Sequence, residues 1–265
     1  MKIRKIGWVT EIYDVDLNTI SKEEMHQIIM TTATDLVVVI KNQELSHQRE
    51  VELCKWCGDC HYILAPFSKH VAINEYVVRV TGEKNKDGKE GLFGHKSDLD
   101  WHCNQASNAN RHSMVWLYAV KGSKGSTTSW INMQLAYEDL LPQVKKLLEP
   151  QKFTCGYKVG MYTEERELFP EHHSPNEWHL VHTNEAGVTG LFFPFLQIMG
   201  GFKGDLFQKL KNHVLQDKYR YDHQWEDGDV VISEQWLSVH KRHYFERMDK
   251  RLLHRIAFNY HKALL

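Results

Sequence analysis

Four runs of strand-forming residues close the chain, Tyr219–Trp225, Asp229–Ser233, Leu237–His240 and Leu252–His261, and they limit its fold more than any other feature. Earlier, Leu36-Val37-Val38-Val39-Ile40 is an unbroken apolar run, mostly β-branched, of the kind that forms a buried strand. Met114–Val120 and Ser126–Ile131 read as two more strands across the turn Gly122–Gly125. Residues 1–20, Val71–Thr81 and Phe153–Val159 carry the strand pattern as well. Helical signals are fewer. Ser21-Lys22-Glu23-Glu24 forms a capping box with Met25, Ile28 and Ile29 at helix spacing behind it, and Ser46 caps a second helix that ends at Gly58. Leu135–Leu141, Val144–Leu148 and Leu206–Leu215 complete the helical set, while Tyr162–Glu177 reads as a long acidic excursion. Strands dominate, no repeat is visible, and helices lie in the first half or in insertions. The predicted class is mainly β with flanking helices (α+β), a β-sandwich or jelly roll, in one domain over residues 1–265.

Charge excludes some partners. Lys and Arg number 33 against 34 Asp and Glu, and the one local basic run, Lys84–Lys89, is diluted by Asp87 and flanked by Glu83 and Glu90. Neither a nucleic acid nor an acidic membrane is indicated as a partner. No apolar run has transmembrane length, and Met1-Lys2-Ile3-Arg4-Lys5 is not followed by an apolar core, so a cytoplasmic protein is expected, its homo-oligomeric state open. Cys54, Cys57, Cys60 and His61 have zinc-like spacing. Yet Cys54 and Cys57 continue the apolar helical spacing of Val51, Leu53 and Trp56, which predicts buried thiols.

The chemistry gathers around Leu99-Asp100-Trp101-His102-Cys103-Asn104-Gln105-Ala106-Ser107. If this stretch is extended, Asp100, His102 and Asn104 share one face. His240 lies far along the chain, beyond Gly228-Asp229. Two distant histidines and an oxygen donor two residues after the first suggest a mononuclear metal site of the two-His, one-carboxylate kind that serves iron(II) oxygenases. Here Asn104 stands where the carboxylate is needed. Near the end, Arg251, Leu253 and Arg255 share a strand face, and arginines facing inward need an anion, which a dicarboxylate would supply in bidentate fashion. Asn74, Gln105, Ser107 and Asn108 offer uncharged polar contacts to a small polar substrate, and Arg255 could receive its carboxylate. The polar loop Gly82–Glu90 is either plain solvated surface or a lid.

Together these residues resemble the taurine dioxygenase family of iron(II)- and 2-oxoglutarate-dependent oxygenases, over about Leu36 to Ala257. Trp101-His102-Cys103-Asn104 is similar to its Trp-His-x-Asp signature, and Gly125–Asn132 followed by Ala136-Tyr137 to its Gly-Gly-Asp-Thr-x-Trp-x-Asn turn and helix. Gly228-Asp229, His240 and Arg251-Leu252-Leu253-His254-Arg255 match its later motifs, with Glu234-Gln235 in place of an Asp-Asn pair. The resemblance implies a double-stranded β-helix (clavaminate synthase-like), with Fe(II) held by His102, Asn104 and His240. It implies 2-oxoglutarate on Arg251 and Thr128 with Arg255 beside it, and the use of O2 to hydroxylate a small molecule. Asn104 departs from the pattern and leaves several readings open. Asn104 or water could complete the site, Asp100 could replace the missing carboxylate, a halogenase-like outcome could follow, or turnover could be lost in favour of binding or regulation.

Overall fold

The computed structural model describes residues 1–63, 70–156 and 176–262, so the end of the expected strand Phe153–Val159 and most of the excursion Tyr162–Glu177 lie outside the described residues. The first strands are β1 (Lys2–Ile6), β2 (Val9–Tyr13), β3 (Val37–Ile40), β4 (Gly58–Cys60), β5 (Val78–Val80), β6 (Leu99–His102), β7 (Met114–Lys121) and β8 (Thr127–Asn132). Then come β9 (Lys152–Cys155), β10 (Glu177–His179), β11 (Val181–Thr183), β12 (Thr189–Leu191), β13 (Ile198–Gly201), β14 (Arg220–Gln224), β15 (Val230–Glu234), β16 (Ser238–Arg242) and β17 (Leu252–Tyr260). The helices are α1 (Lys22–Asp35), α2 (His47–Cys57), α3 (Met133–Glu138), α4 (Pro142–Leu148) and α5 (Asp205–Val214).

An eight-stranded sheet has the order β1-β2-β3-β15-β7-β17-β4, with β5 also on β17, and faces a four-stranded sheet ordered β14-β8-β16-β6. This is the jelly-roll arrangement, and the strands expected at the C-terminus supply members to both sheets. The run Leu36–Ile40 shows why the sheets stack. Val37 and Val39 enter a core shared with Trp130 of β8, Val231 of β15 and Leu253 of β17. Val38 and Ile40 point the other way, into a core with Met25, Ile28 and Ile29 of α1 and Leu53 and Cys54 of α2. A strand buried on both faces can carry apolar residues without alternation. Cys54 and Cys57 are fully buried there, as the helical spacing predicts.

Local signals hold at the helix ends. Ser21 and Glu24 make the reciprocal capping box, and Ser46 Oγ accepts from Arg49 N–H at the start of α2. The strand expected over Val71–Thr81 is shorter than its apolar pattern suggests, reduced to β5. Asn74 is the reason: its Oδ1 accepts from the backbone N–H of Tyr76 and Val77, closing a turn that breaks the run. Among the described residues no helix is long and apolar enough to cross a membrane.

Behind β17, on the side away from the smaller sheet, Glu50 of α2 is wholly buried. One carboxylate oxygen bonds His254 Nδ1 at 2.6 Å and the other accepts from Trp116 Nε1 at 3.0 Å. The pair ties α2 to the strand that carries Arg255. Glu50→Ala strands two buried polar groups at about 1–3 kcal/mol each, so urea unfolding should lose at least about 2 kcal/mol of stability. A loss within about 0.5 kcal/mol, the range of ordinary surface substitutions, would show that the tie is not structural.

Candidate active site

Strand pairing builds the site. In the smaller sheet His240 of β16 stands directly opposite His102 of β6, and Arg242 opposite Thr128 of β8. The two imidazole rings lie 4.2 Å apart between centroids. His102 Nδ1 is 2.6 Å from the carbonyl oxygen of Asp100, an acceptor only, so Nδ1 carries the proton and the lone pair is left on Nε2. That Nε2 is buried and reaches no hydrogen-bond partner among the described residues, and neither does His240 Nδ1. Burial, with the charges of Arg255 and Arg242 adding to it, lowers the His102 pKa to about 4. Burial, with the neighbouring His102 and Arg255 adding to it, also holds that of His240 well below the usual imidazole range, so both rings are neutral near pH 7. A neutral imidazole is a fit donor for a first-row metal through the nitrogen that lacks the proton, which on His102 is Nε2.

The chain leaves β6 at His102 and turns, with Gln105 at φ +52°. The extended stretch expected through Asn104 therefore stops early. Asn104 still reaches the cavity, but its Nδ2 donates to Gln235 Oε1 at 3.0 Å and lies 3.5 Å from His240 Nε2. Asp100 does not replace the missing carboxylate. It is exposed, its Oδ1 accepts from Trp101 N–H, and it sits 3.5 Å from Lys241 Nζ. Among the described residues no group of three or more His, Cys, Asp and Glu side chains is placed to hold a metal.

The cavity beside the histidines is lined by His102, Asn104, Thr128, His240, Arg242, Arg251 and Arg255, with apolar walls from Phe93, Leu117 and Leu253 among others. Arg251, Leu253 and Arg255 thus share the inward face that their spacing predicts. Arg251 is 1 % exposed, and among the described residues no carboxylate meets it. Among the described residues its Nη1 reaches only Met248 Sδ at 3.8 Å and its Nε has no partner, and its guanidinium stands 5.9 Å from the Trp225 ring centroid. Burial, then the charge of Arg242, lowers its pKa to about 9, which still leaves it cationic at pH 7. Thr128 Oγ1 accepts from Trp225 Nε1 at 2.9 Å, leaving its own proton for an acceptor in the cavity. The approach to Arg251 is close: Gly122 has φ +66°, and a Cβ there would meet the Lys250 carbonyl at 2.2 Å.

Arg242 was not singled out from the sequence, although it lies two residues beyond His240 on one strand and so shares its face. Its guanidinium donates to the carbonyls of Phe93, His95 and Ser97, pinning the segment after the loop Gly82–Glu90 across the cavity. Of the expected substrate contacts only Arg255 lines the cavity, and its Nη2 lies 3.4 Å from His112 Nε2. Asn74 closes its turn, Gln105 Oε1 meets His112 Nδ1 at 2.9 Å, and Ser107 is buried outside the lining. Backbone needs and local packing claim those side chains, which the sequence pattern does not reveal.

The sequence model of the "Taurine catabolism dioxygenase TauD, TfdA family" matches residues 2–257. The chain belongs to this family. It is 21% identical to pentalenolactone F synthase of Streptomyces arenae over 260 residues, 89% of this chain and 86% of that one. It is 24% identical to the alpha-ketoglutarate-dependent 2,4-dichlorophenoxyacetate dioxygenase of Burkholderia sp. (strain RASC) over 246 residues, 83% of this chain and 80% of that one. The fold is similar to a crystal structure of a taurine dioxygenase from Burkholderia xenovorans, with a TM-score of 0.78, 18% identity, and coverage of 98% of this chain and 89% of that one. The TauD, TfdA family places the chain among the Fe(II)/2-oxoglutarate-dependent oxygenases, and it is an enzyme of that class.

At the hairpin end between β15 and β16, Glu234 is fully buried, with Oε2 accepting from the backbone N–H of Trp236 and Leu237. Desolvation outweighs those bonds and the charge of Arg111 and raises its pKa to about 8. A folded-state pKa above the unfolded value favours the fold below the unfolded pKa, and that contribution is lost as pH rises. Here the window runs from about pH 4.5 to about pH 8. Glu234→Gln keeps an acceptor for both N–H groups and removes the titration. The difference in unfolding free energy between variant and parent should therefore grow in the variant's favour by a few kcal/mol (order of magnitude) across that window. A pH-independent difference would mean that Glu234 is ionised in the fold.

Proposed function

We propose that the chain is a single-domain oxygenase that holds Fe(II) through His102 and His240, with Asn104 beside the third position, and takes 2-oxoglutarate as co-substrate on Arg251 and Thr128. The carrying observation is Arg251, a buried cation that no carboxylate among the described residues meets, in the same cavity as the two histidines. An anion must offset its desolvation, and a dicarboxylate spanning from Arg251 toward the histidines answers that need. When bound, iron(II) with 2-oxoglutarate and O2 supplies the oxidising chemistry, coupling loss of CO2 to hydroxylation of a substrate C–H bond.

The chain's own residues bind, orient and exclude. The Asp100 carbonyl fixes the His102 tautomer, and Trp130 stacks on His240 with ring centroids at 6.3 Å. Such supports keep ligand rings aimed at one point. Thr128, held by Trp225, donates its hydroxyl proton to the carboxylate that Arg251 grips. Phe93, Leu117, Val115 and Leu253 keep the walls apolar. Arg255 lines the same cavity and favours a small substrate carrying an anionic or strongly polar group. The five free cysteines accord with a cytoplasmic setting.

Calorimetry with Mn(II) and 2-oxoglutarate tests the assignment. Arg251→Ala should weaken 2-oxoglutarate binding by about 2–5 kcal/mol, the cost of unpairing a buried charge, and Arg255→Ala should cost less. Unchanged affinity in Arg251→Ala removes that residue from the site. O2-dependent succinate release with a pool of small polar molecules tests turnover, with Asn104→Asp alongside. A second reading, binding without turnover, is favoured by the neutral Asn104. It stands if neither protein releases succinate with any pool.

A further inference from the structure

A one-way chain of contacts runs from the hairpin carrying Gln235 through Asn104 to His240. Gln235 is fully buried; its Nε2 lies 3.3 Å from the Ser233 carbonyl oxygen and 2.9 Å from Ser233 Oγ. Its Oε1 accepts from Asn104 Nδ2 at 3.0 Å and lies 3.5 Å from the Asn104 backbone nitrogen. A carbonyl oxygen can only accept and a backbone N–H can only donate, so two groups with fixed roles flank this side chain. Reversing the Gln235 amide would set its NH2 against the Asn104 N–H and its oxygen against the Ser233 carbonyl. One orientation satisfies both ends. Fixing Gln235 then fixes Asn104, because a reversed Asn104 amide would place its carbonyl oxygen face to face with that of the buried Gln235 with no proton between them.

The backbone of Gln235 is held equally firmly. Its N–H donates to the Ser113 carbonyl at 2.8 Å, and its carbonyl accepts from Arg111 at 2.5 Å. Arg111 is in turn clamped between Phe192 and Trp236, at 4.1 Å from each ring centroid.

We propose that Gln235 is a positioning residue that presents the NH2 of Asn104, not its carbonyl oxygen, to the histidine pair. The third metal position is then filled by a small exogenous anion or water that accepts a hydrogen bond from Asn104. The inference rests on the two-histidine site proposed above. Asn104 Nδ2 lies 3.5 Å from His240 Nε2, and an amide NH2 offers protons but no lone pair to a metal. Arg242, Arg251 and Arg255 line the same cavity and no acid does so among the described residues, which favours an anion over a neutral ligand.

Cobalt(II) in place of iron, followed by calorimetry and visible absorption, gives a readout apart from turnover. Gln235→Met is close in size and frees the Asn104 amide to turn its oxygen inward. Its cobalt affinity without 2-oxoglutarate should rise about 10-fold or more, the scale on which groups around metal ligands alter affinity. A Gln235 that only supports the fold predicts equal or weaker binding in the folded variant, and that result overturns the proposal. In the unaltered chain, azide should shift the cobalt spectrum saturably, and Asn104→Asp should abolish the shift. A spectrum indifferent to azide overturns the proposal without recourse to any variant, so the azide titration decides even if Gln235→Met fails to fold. Failure to bind cobalt at all, with or without 2-oxoglutarate, removes the two-histidine site itself, which is a different failure.

Discussion

The register of β16 against β6 and β8 is the constraint on which the rest depends. Side chains on a strand alternate between faces, so a one-residue slip would turn His240 and Arg242 out of the cavity together. In the observed register His240 meets His102 across the sheet and Arg242 meets Thr128. The core between the sheets helps to hold that register, because Trp130 lies fully buried there among Val37, Val39 and Val231. Packing of valines on the large sheet is thus coupled to placement of imidazoles on the small one.

The cavity solves the problem of buried positive charge in two ways. Arg242 donates through its two terminal nitrogens to three backbone carbonyls, which stabilise its guanidinium and anchor the segment from Phe93 to Ser97. Arg251 has, among the described residues, only a thioether sulfur and a distant indole face, poor substitutes for the water it has lost. One arginine is a structural strut; the other stores a demand for an anion. A similar division separates the carboxyls. Glu50 is tied to His254 and Trp116 behind β17, whereas Glu234 has one oxygen bonded to two backbone N–H groups and the other without a partner among the described residues. The pKa of Glu234 rises accordingly.

Asn104, at the place of the Asp in the motif it resembles, leaves the proposed metal position without a negative charge from that side chain. Two neutral imidazoles and an amide bring no negative charge, so a divalent ion there would find no compensating charge among the described residues that line the cavity. The arginines around the cavity reinforce that dependence by attracting anions to the same space.

Much was legible in the sequence, and the limits fall where interactions become non-local. The strands at Leu36–Ile40, Met114–Val120 and the C-terminus, the caps at Ser21 and Ser46, and the inward face shared by Arg251 and Arg255 follow from periodicity and local hydrogen bonding, which a linear string contains. The motifs around His102, His240 and Arg251 also pointed to the family. The sequence could not show that Asn74 is consumed by a turn, that β6 ends at His102, or that Asp100 faces solvent beside Lys241. Nor could it show which end of the Asn104 amide faces His240. That orientation is set by Gln235, 131 residues away along the chain, and by the Ser233 carbonyl behind it. Amide polarity is a property of hydrogen-bond partners brought together by strand pairing, so only the tertiary structure could decide it.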